Sequence, residues 1–485
     1  MFWRGVVGYL PVNIVQGLVG LLSIVAFTRL LSPEAYGAYA LAFAVMTLAH
    51  TTLFTWLEAA MARFHAREAV QGGLADHFAT LYRTAAVMAF AIPLVGAAIL
   101  FLLPMSRPLE WAIGAGLLAI PARSLAKLAQ ERRRAAGEVR ASALLDISQT
   151  AGAFAIGAAL AWAGMGGAAP IVGLGAAAAL CMLFVLPREL KLAPGGRFDP
   201  ARARDYAAYG VPVSLSLILA LALATTDRFL IAGFLGEGAV GVYHAGYSLS
   251  SRTLDVLFIW LGMAGGPAAV AALERGGRRA LEAQARDQAS LMLLICLPAA
   301  AGLALVAKPL ADVMVGEGLR AGAAMVTPWI AASGLFAGLT TYYFHQAFTL
   351  ARKTKLLLAA MAIPAAANIV LNLVLIPGFG LAGAMWATTA SYGVGLLASM
   401  ALGRRVMPLP VPWATLSRGV LATAVMALAV AACPAPGGLA ELMLKAGVGA
   451  AVYGALALAL DVGGARGLAA RLVRRTARLR QAGAA

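Results

Sequence analysis

Fourteen apolar stretches, each long enough to cross a lipid bilayer, constrain this chain more than any other feature. They run over about 5–30, 37–60, 81–104, 109–130, 143–164, 168–187, 206–235, 239–263, 289–308, 320–346, 355–377, 380–402, 414–433 and 439–460. About 20 apolar residues carry a helix across the hydrocarbon. Inside lipid every backbone N–H and C=O must be bonded internally, and the runs lack strand alternation. An all-α polytopic membrane protein follows. Composition agrees: 61% of the 485 residues are hydrophobic and only 12% charged, where soluble domains carry about 25% charged residues. The first run is longer than a signal-peptide core and includes Asn13 and Gln16, so it reads as a retained span.

The net charge of +17 is spread by loop and not gathered in one patch. With the N-terminus placed inside, alternate connections hold Arg63 and Arg67, the cluster from Lys127 to Arg140, and the cluster from Arg188 to Arg204. Further along come Arg275 to Arg286, Arg352 to Lys355, Arg404 and Arg405, and six arginines from Arg466 to Arg480. The opposite connections hold little beyond Arg107, Lys308 and Arg320. Basic residues accumulate on the cytoplasmic side, so both termini are expected there. The basic loops read as solvated anchors on the membrane surface, with no nucleic-acid partner. Cys181, Cys296 and Cys433 fall singly in separate runs, without disulfide or zinc spacing. GxxxxGK followed by Ser or Thr, HExxH and GxSxG do not occur, so no catalytic residue, cofactor or metal is assigned.

The polar break at 188–205 divides the chain, and the parts on either side look related. Tyr9-Leu-Pro11 opens the first and Tyr209-Gly-Val-Pro212 the second. Gly37-Ala-Tyr39 returns as Gly241-Val-Tyr243 after 204 positions, and Gly164-Met-Gly166 as Gly378-Phe-Gly380 after 214. Six spans per half, an even number, make the repeat a parallel one.

Charges inside apolar runs cost about 2.5–3.5 kcal/mol each on insertion scales, and mark polar routes when they are retained. Asp227 and Arg228 interrupt the run that starts at Tyr206. As sequence neighbours they point about 100° apart on a helix, so they serve either as a local pair or with separate partners in a wet cavity. Arg29, Arg123 and Arg252 also lie within or at the edges of spans, with Asp255 on the same helical face as Arg252. Each reads as an interfacial anchor or as a cavity residue. Asn13 with Gln16, and Asn368 with Asn372, share helix faces as interhelical hydrogen-bond donors or cavity lining. Glu58 and Asp146 are either ion-coupling groups or loop-edge acids.

Three separated motifs resemble one family. Thr28-Arg29-Leu-Leu-Ser-Pro-Glu34-Ala-Tyr36-Gly37-Ala-Tyr39 is similar to the first turn of bacterial polysaccharide-biosynthesis flippases. Asp227-Arg228-Phe-Leu-Ile, continued by Gly236 and Val240-Gly241-Val-Tyr243, resembles their mid-chain signature. Asn368-Ile-Val-Leu-Asn372-Leu-Val-Leu-Ile-Pro377-Gly-Phe-Gly380-Leu-Ala-Gly383 resembles their late one. The resemblance covers about 1–402 and points to the O-antigen flippases of the multidrug/oligosaccharidyl-lipid/polysaccharide exporter superfamily.

It implies two six-helix lobes around a central cavity, 1–195 and 196–405, followed at 406–485 by two further helices and a basic tail. It also implies a bacterial inner-membrane protein that turns an undecaprenyl-diphosphate-linked oligosaccharide from the inner to the outer leaflet without covalent chemistry. Arg29 would occupy a substrate-contacting place, and arginine suits a diphosphate because its planar fork holds phosphate oxygens in pairs. The basic residue that relatives carry after the tyrosine aligned with Tyr247 is here Ser248, with Arg252 one turn later. Membrane lipids, a coupling Na⁺ or H⁺, and a polysaccharide polymerase with glycosyltransferases are the implied partners. A drug/cation antiporter of the same superfamily and a non-transporting member of a polysaccharide-synthesis complex are the alternatives.

Overall fold

The computed structural model describes residues 2–102, 105–192 and 194–471, and every element in those residues is a helix. The expected arginines beyond Arg471 lie outside the described residues. In order the helices are α1 (Phe2–Leu30), α2 (Pro33–Leu53), α3 (Thr55–Gln71), α4 (Leu74–Leu102), α5 (Arg107–Ala135), α6 (Val139–Trp162), α7 (Ala169–Leu190) and α8 (Pro200–Leu235). There follow α9 (Glu237–Leu305), α10 (Ala307–Met314), α11 (Glu317–Leu339), α12 (Gln346–Leu350), α13 (Thr354–Arg404), α14 (Trp413–Ala431) and α15 (Gly438–Ala459). Among the described residues eleven helices are long and apolar enough to cross a bilayer; α2 and α3, bent by 44° where they meet, make a twelfth as one span.

The starts and stops follow local chemistry. Ser32 accepts the Ala35 N–H at the head of α2, Ser106 that of Leu109 at α5, and Asp199 those of Ala201 and Arg202 at α8, each with proline in the first turn. Those oxygens occupy donors that a helix start leaves unpaired. The backbone N–H of Arg202 holds the Asp199 carboxyl below its usual range. As unbroken rods α9, with 69 residues, and α13, with 51, would be far longer than a hydrocarbon core of about 30 Å. Both are interrupted by glycine, Gly277 at φ 63°, ψ −154° and Gly380 at φ 57°, ψ −136°.

Backbone turns repeat along the chain where the side chains do not. Positive φ occurs at Gly72 and Gly277, at Gly137 and Arg352, and at Gly166 and Gly380, close to the offsets read from the motifs. The middle pair is the closest match. Glu138 N–H donates to Arg133 O and Gly137 N–H to Arg134 O; Lys353 N–H donates to Phe348 O and Arg352 N–H to Thr349 O. Both are the two-bond helix terminator that needs a left-handed residue. A side chain in that conformation costs on the order of 1 kcal/mol. Arg352→Gly is therefore expected to raise the unfolding midpoint by about 1–2 °C, checked by thermal melting of the purified protein.

The chain divides into two compact units, Met1–Ala245 and Gly246–Ala485. In the first, α6 packs along α7 and α5 against α7 and α2, around Phe54, Leu57, Met61, Ile120, Leu128 and Tyr206. Here the motif glycines meet. A Cβ on Gly37 would collide with the Glu237 carbonyl, and one on Gly241 with the Pro33 carbonyl. Each carbonyl belongs to the residue four before the other glycine, so the crossing of α2 and α9 is reciprocal and admits no side chain. In the second unit the core holds Leu254, Phe258, Met292, Cys296 and Tyr343, with a further cluster of Met426, Val430 and Tyr453 from α14 and α15.

Two basic residues depart from the sequence reading. Arg132 and Arg133 were expected among solvated anchors but are 5% and 9% exposed. Both bind Glu189, which is 1% exposed: Arg132 through Nε and Nη2 at 2.8 Å each, Arg133 through Nε at 3.0 Å. With 29 residues α5 is roughly 44 Å long. It outruns the hydrocarbon, and its basic end packs against protein before it reaches water.

Candidate functional site

The first unit gathers polar side chains from α1, α2, α3, α5 and α6. His50 on α2 is the centre of one group, with Nδ1 3.0 Å from Ser124 Oγ on α5 and Nε2 2.9 Å from Glu58 Oε1 on α3. Residues 50, 54 and 58 are one helical turn apart, so the bend at Phe54 brings the histidine over the acid. Arg123, half-buried beside Ser124, is within electrostatic reach of Glu58 and Tyr39. A second group surrounds Asp146 on α6. Its carboxylate accepts Gln130 Nε2 at 2.6 Å and Gln16 Nε2 at 3.0 Å, and Lys127 Nζ donates to Gln130 Oε1 at 3.2 Å. A His–Glu pair can accept a proton, and a carboxylate held by amides can hold a cation. The sequence reading noted Glu58 and Asp146 separately and missed His50, Ser124, Lys127 and Gln130. The signal available was the four-residue spacing of 50, 54 and 58.

Asp227 is fully buried on α8 and accepts the Tyr243 hydroxyl and the Arg228 backbone N–H. Arg228, 6% exposed, donates from Nη1 to Ala224 O at 2.7 Å. The tyrosine is the one shared by the 37–39 and 241–243 motifs. Around the same turn Tyr36 and Tyr39 lie 5.4 and 6.1 Å from the His244 ring. Arg29 is exposed at the end of α1, with Nη1 3.0 Å from Val25 O, and Asn13 is exposed earlier on that helix.

The second unit holds the remaining candidates. Arg252 and Asp255 are both exposed on α9 and within electrostatic reach of each other, and Asp255 also of Tyr342. Asn368 and Asn372 are completely buried on α13. Asn372 Nδ2 donates to Asn368 O at 2.8 Å, while both polar atoms of Asn368 and Oδ1 of Asn372 have no partner among the described residues. Orphaned amide atoms cost about 1–3 kcal/mol apiece, and they suit a polar guest. Among the described residues no three His, Cys, Asp or Glu side chains group as metal ligands.

Solved structures with the same fold are membrane transporters. The lipid II flippase MurJ in its inward closed conformation superposes with a TM-score of 0.75 at 13% identity, over 92% of this chain and 97% of that one. An inward-facing multidrug resistance MATE transporter of the MOP superfamily gives 0.66 at 15% identity, over 82% and 97%. A MOP superfamily transporter from Pyrococcus furiosus gives 0.54 at 12%, over 83% and 93%. No curated protein sequence matches. The family model described as polysaccharide biosynthesis protein matches residues 26–320, which takes in the first two of the three motifs. The chain belongs to the polysaccharide biosynthesis protein family, on the MOP transporter fold.

Proposed function

We propose that this protein is a flippase, carrying an undecaprenyl-diphosphate-linked oligosaccharide (an O-antigen, capsule or exopolysaccharide precursor) across the bacterial inner membrane by alternating access. The observation that carries the reading is the combination of a polysaccharide-biosynthesis family match with the fold of a lipid II flippase. Arginines within spans support it, since a diphosphate needs cationic partners where water is scarce. In this reading α9 and α13 each count as two spans, giving fourteen with both termini cytoplasmic. The lobes are 1–195 and 196–405, with 406–485 added. Arg29, Arg123, Arg228 and Arg252 hold the headgroup, with Asp227, Asn13, Asn368 and Asn372 lining the route. With the cell interior negative, exporting a headgroup of charge about −2 is favoured by roughly 4–5 kcal/mol per 100 mV. Na⁺ or H⁺ is the coupling ion, and Glu58 with His50 is the pair placed to take a proton. A polysaccharide polymerase and glycosyltransferases are the enzymatic neighbours of such a step.

The likeness to a MATE transporter, together with acids at Glu58 and Asp146, favours a cation antiporter as the second reading. Vesicles separate the two. Reconstituted protein is expected to move a polyprenyl-diphosphate-linked saccharide between leaflets, and Arg29→Ala or Arg228→Ala to slow this at least tenfold while membrane insertion persists. Cationic-dye efflux without lipid movement selects the antiporter, and full activity in both variants removes those arginines from the mechanism.

A further inference from the structure

At the basic end of the first unit, α5, α6 and α7 diverge around a cavity of about 570 Å³. It includes the Arg132–Arg133–Glu189 cluster and lies apart from the polar groups around His50, Asp146 and Asp227. Its lining includes Leu144 and Phe184, 64% and 73% exposed although strongly apolar, and Cys181. It also includes Arg133 and Arg188. Phe184 and Arg188 are one helical turn apart, about 6 Å along α7, close to the step from acyl chain to headgroup at a membrane surface.

The charges are incompletely matched. Three arginines and two carboxylates, Glu138 and Glu189, line the cavity. Glu189 is saturated by Arg132, Arg133 and the Tyr82 hydroxyl, and Arg132 also spans to Glu138. Arg133 uses Nε on Glu189 and Nη1 on Ala141 O at 3.4 Å, which leaves Nη2 uncommitted. Arg188 is exposed and bonds to no other described residue. Glu138, the residue before α6, and Ala141 in its first turn line the cavity at a helix start that has no side-chain cap, where Glu138 is drawn to Arg132.

We infer that this cavity binds the phosphodiester headgroup of an anionic membrane phospholipid, with Arg133 and Arg188 on the phosphate and the acyl chains along Leu144 and Phe184. Basic pockets between spanning helices near the membrane surface recognise such headgroups, and the exposed apolar wall makes an amphiphile a better fit than a free anion. This occupant is a resident lipid, and the inference does not depend on what the protein transports.

The test uses the full chain purified in detergent, with phosphatidylglycerol, phosphatidylcholine or inorganic phosphate added. Thermal melting and native mass spectrometry read the outcome. Phosphatidylglycerol is expected to raise the melting temperature and to remain bound, with the other two doing neither. Arg188→Gln should weaken its binding about fivefold, and Arg188→Glu more. Leu144→Trp, which fills the cavity from its apolar wall, should abolish it. An arginine that serves only to end α7 predicts instead an equal loss of stability with every additive. That result, equal binding of phosphatidylcholine, saturation by inorganic phosphate, or displacement by a polyprenyl diphosphate as the preferred ligand would each overturn the inference.

Discussion

Replacing Gly37 by leucine is expected to reduce saccharide translocation below a tenth and to lower the melting temperature. A Cβ at this position collides with the Glu237 carbonyl, and backbone held in a helix cannot rotate away as a side chain would. The two helices must separate to admit the new group, at a cost of at least 1–3 kcal/mol, the usual range for overpacking. Because the contact is reciprocal, Gly241→Leu meets the Pro33 carbonyl in the same way, and the two variants should have matching defects. Gly17 is the control, since a Cβ there meets nothing within 4 Å; Gly17→Ala should be neutral. If Gly37→Leu melts and transports as the parent does, the close approach of α2 to α9 is not a working contact.

Glu189→Ala is expected to have the largest effect on stability. The substitution strands two buried guanidiniums, and removing one partner from a buried ion pair costs about 3–5 kcal/mol. Accumulation in membranes should fall sharply and the melting temperature with it. Combining Glu189→Leu with Arg132→Met removes charge of both signs and should recover part of the loss. At the surface Lys308 and Asp312 form a 2.9 Å pair with the lysine 73% exposed. Lys308→Ala should leave melting unchanged, as exposed pairs contribute little. Should Glu189→Ala and Lys308→Ala behave alike, Glu189 is not the hub its geometry suggests.

The helical membrane architecture was legible because it depends on local facts: run length, apolarity, and serine or aspartate ahead of proline at helix starts. Of the turns that repeat, the pair at Gly166 and Gly380 was legible as glycines, while the one at Arg352 carries no glycine to read. Other features depend on partners far along the chain. Nothing near Phe54 marks a bend, since neither proline nor glycine lies there, so the spacing of 50, 54 and 58 hinted at a shared face without showing that His50 meets Glu58. Glu189 meets Arg132 across 57 positions, which a loop-by-loop count of charge cannot register. Asp227 was visible as a costly charge, and its tyrosine partner sat in a motif already identified, but helix periodicity does not say which residue of the next helix turns toward it. Asn368 and Asn372 were legible as a shared face; that their amides stay unpartnered is a property of packing.

The recurrence of left-handed turns has a genealogical consequence. Gly137 and Arg352 end their helices with the same pair of hydrogen bonds, although one residue is the smallest available and the other among the longest. The backbone thus keeps one form of helix ending at two places where the side chains differ, and a tandem copy of one precursor, as the sequence motifs suggested, would account for it. A change that improves the turn at Gly137 therefore has a definite address to try at Arg352, and the reverse.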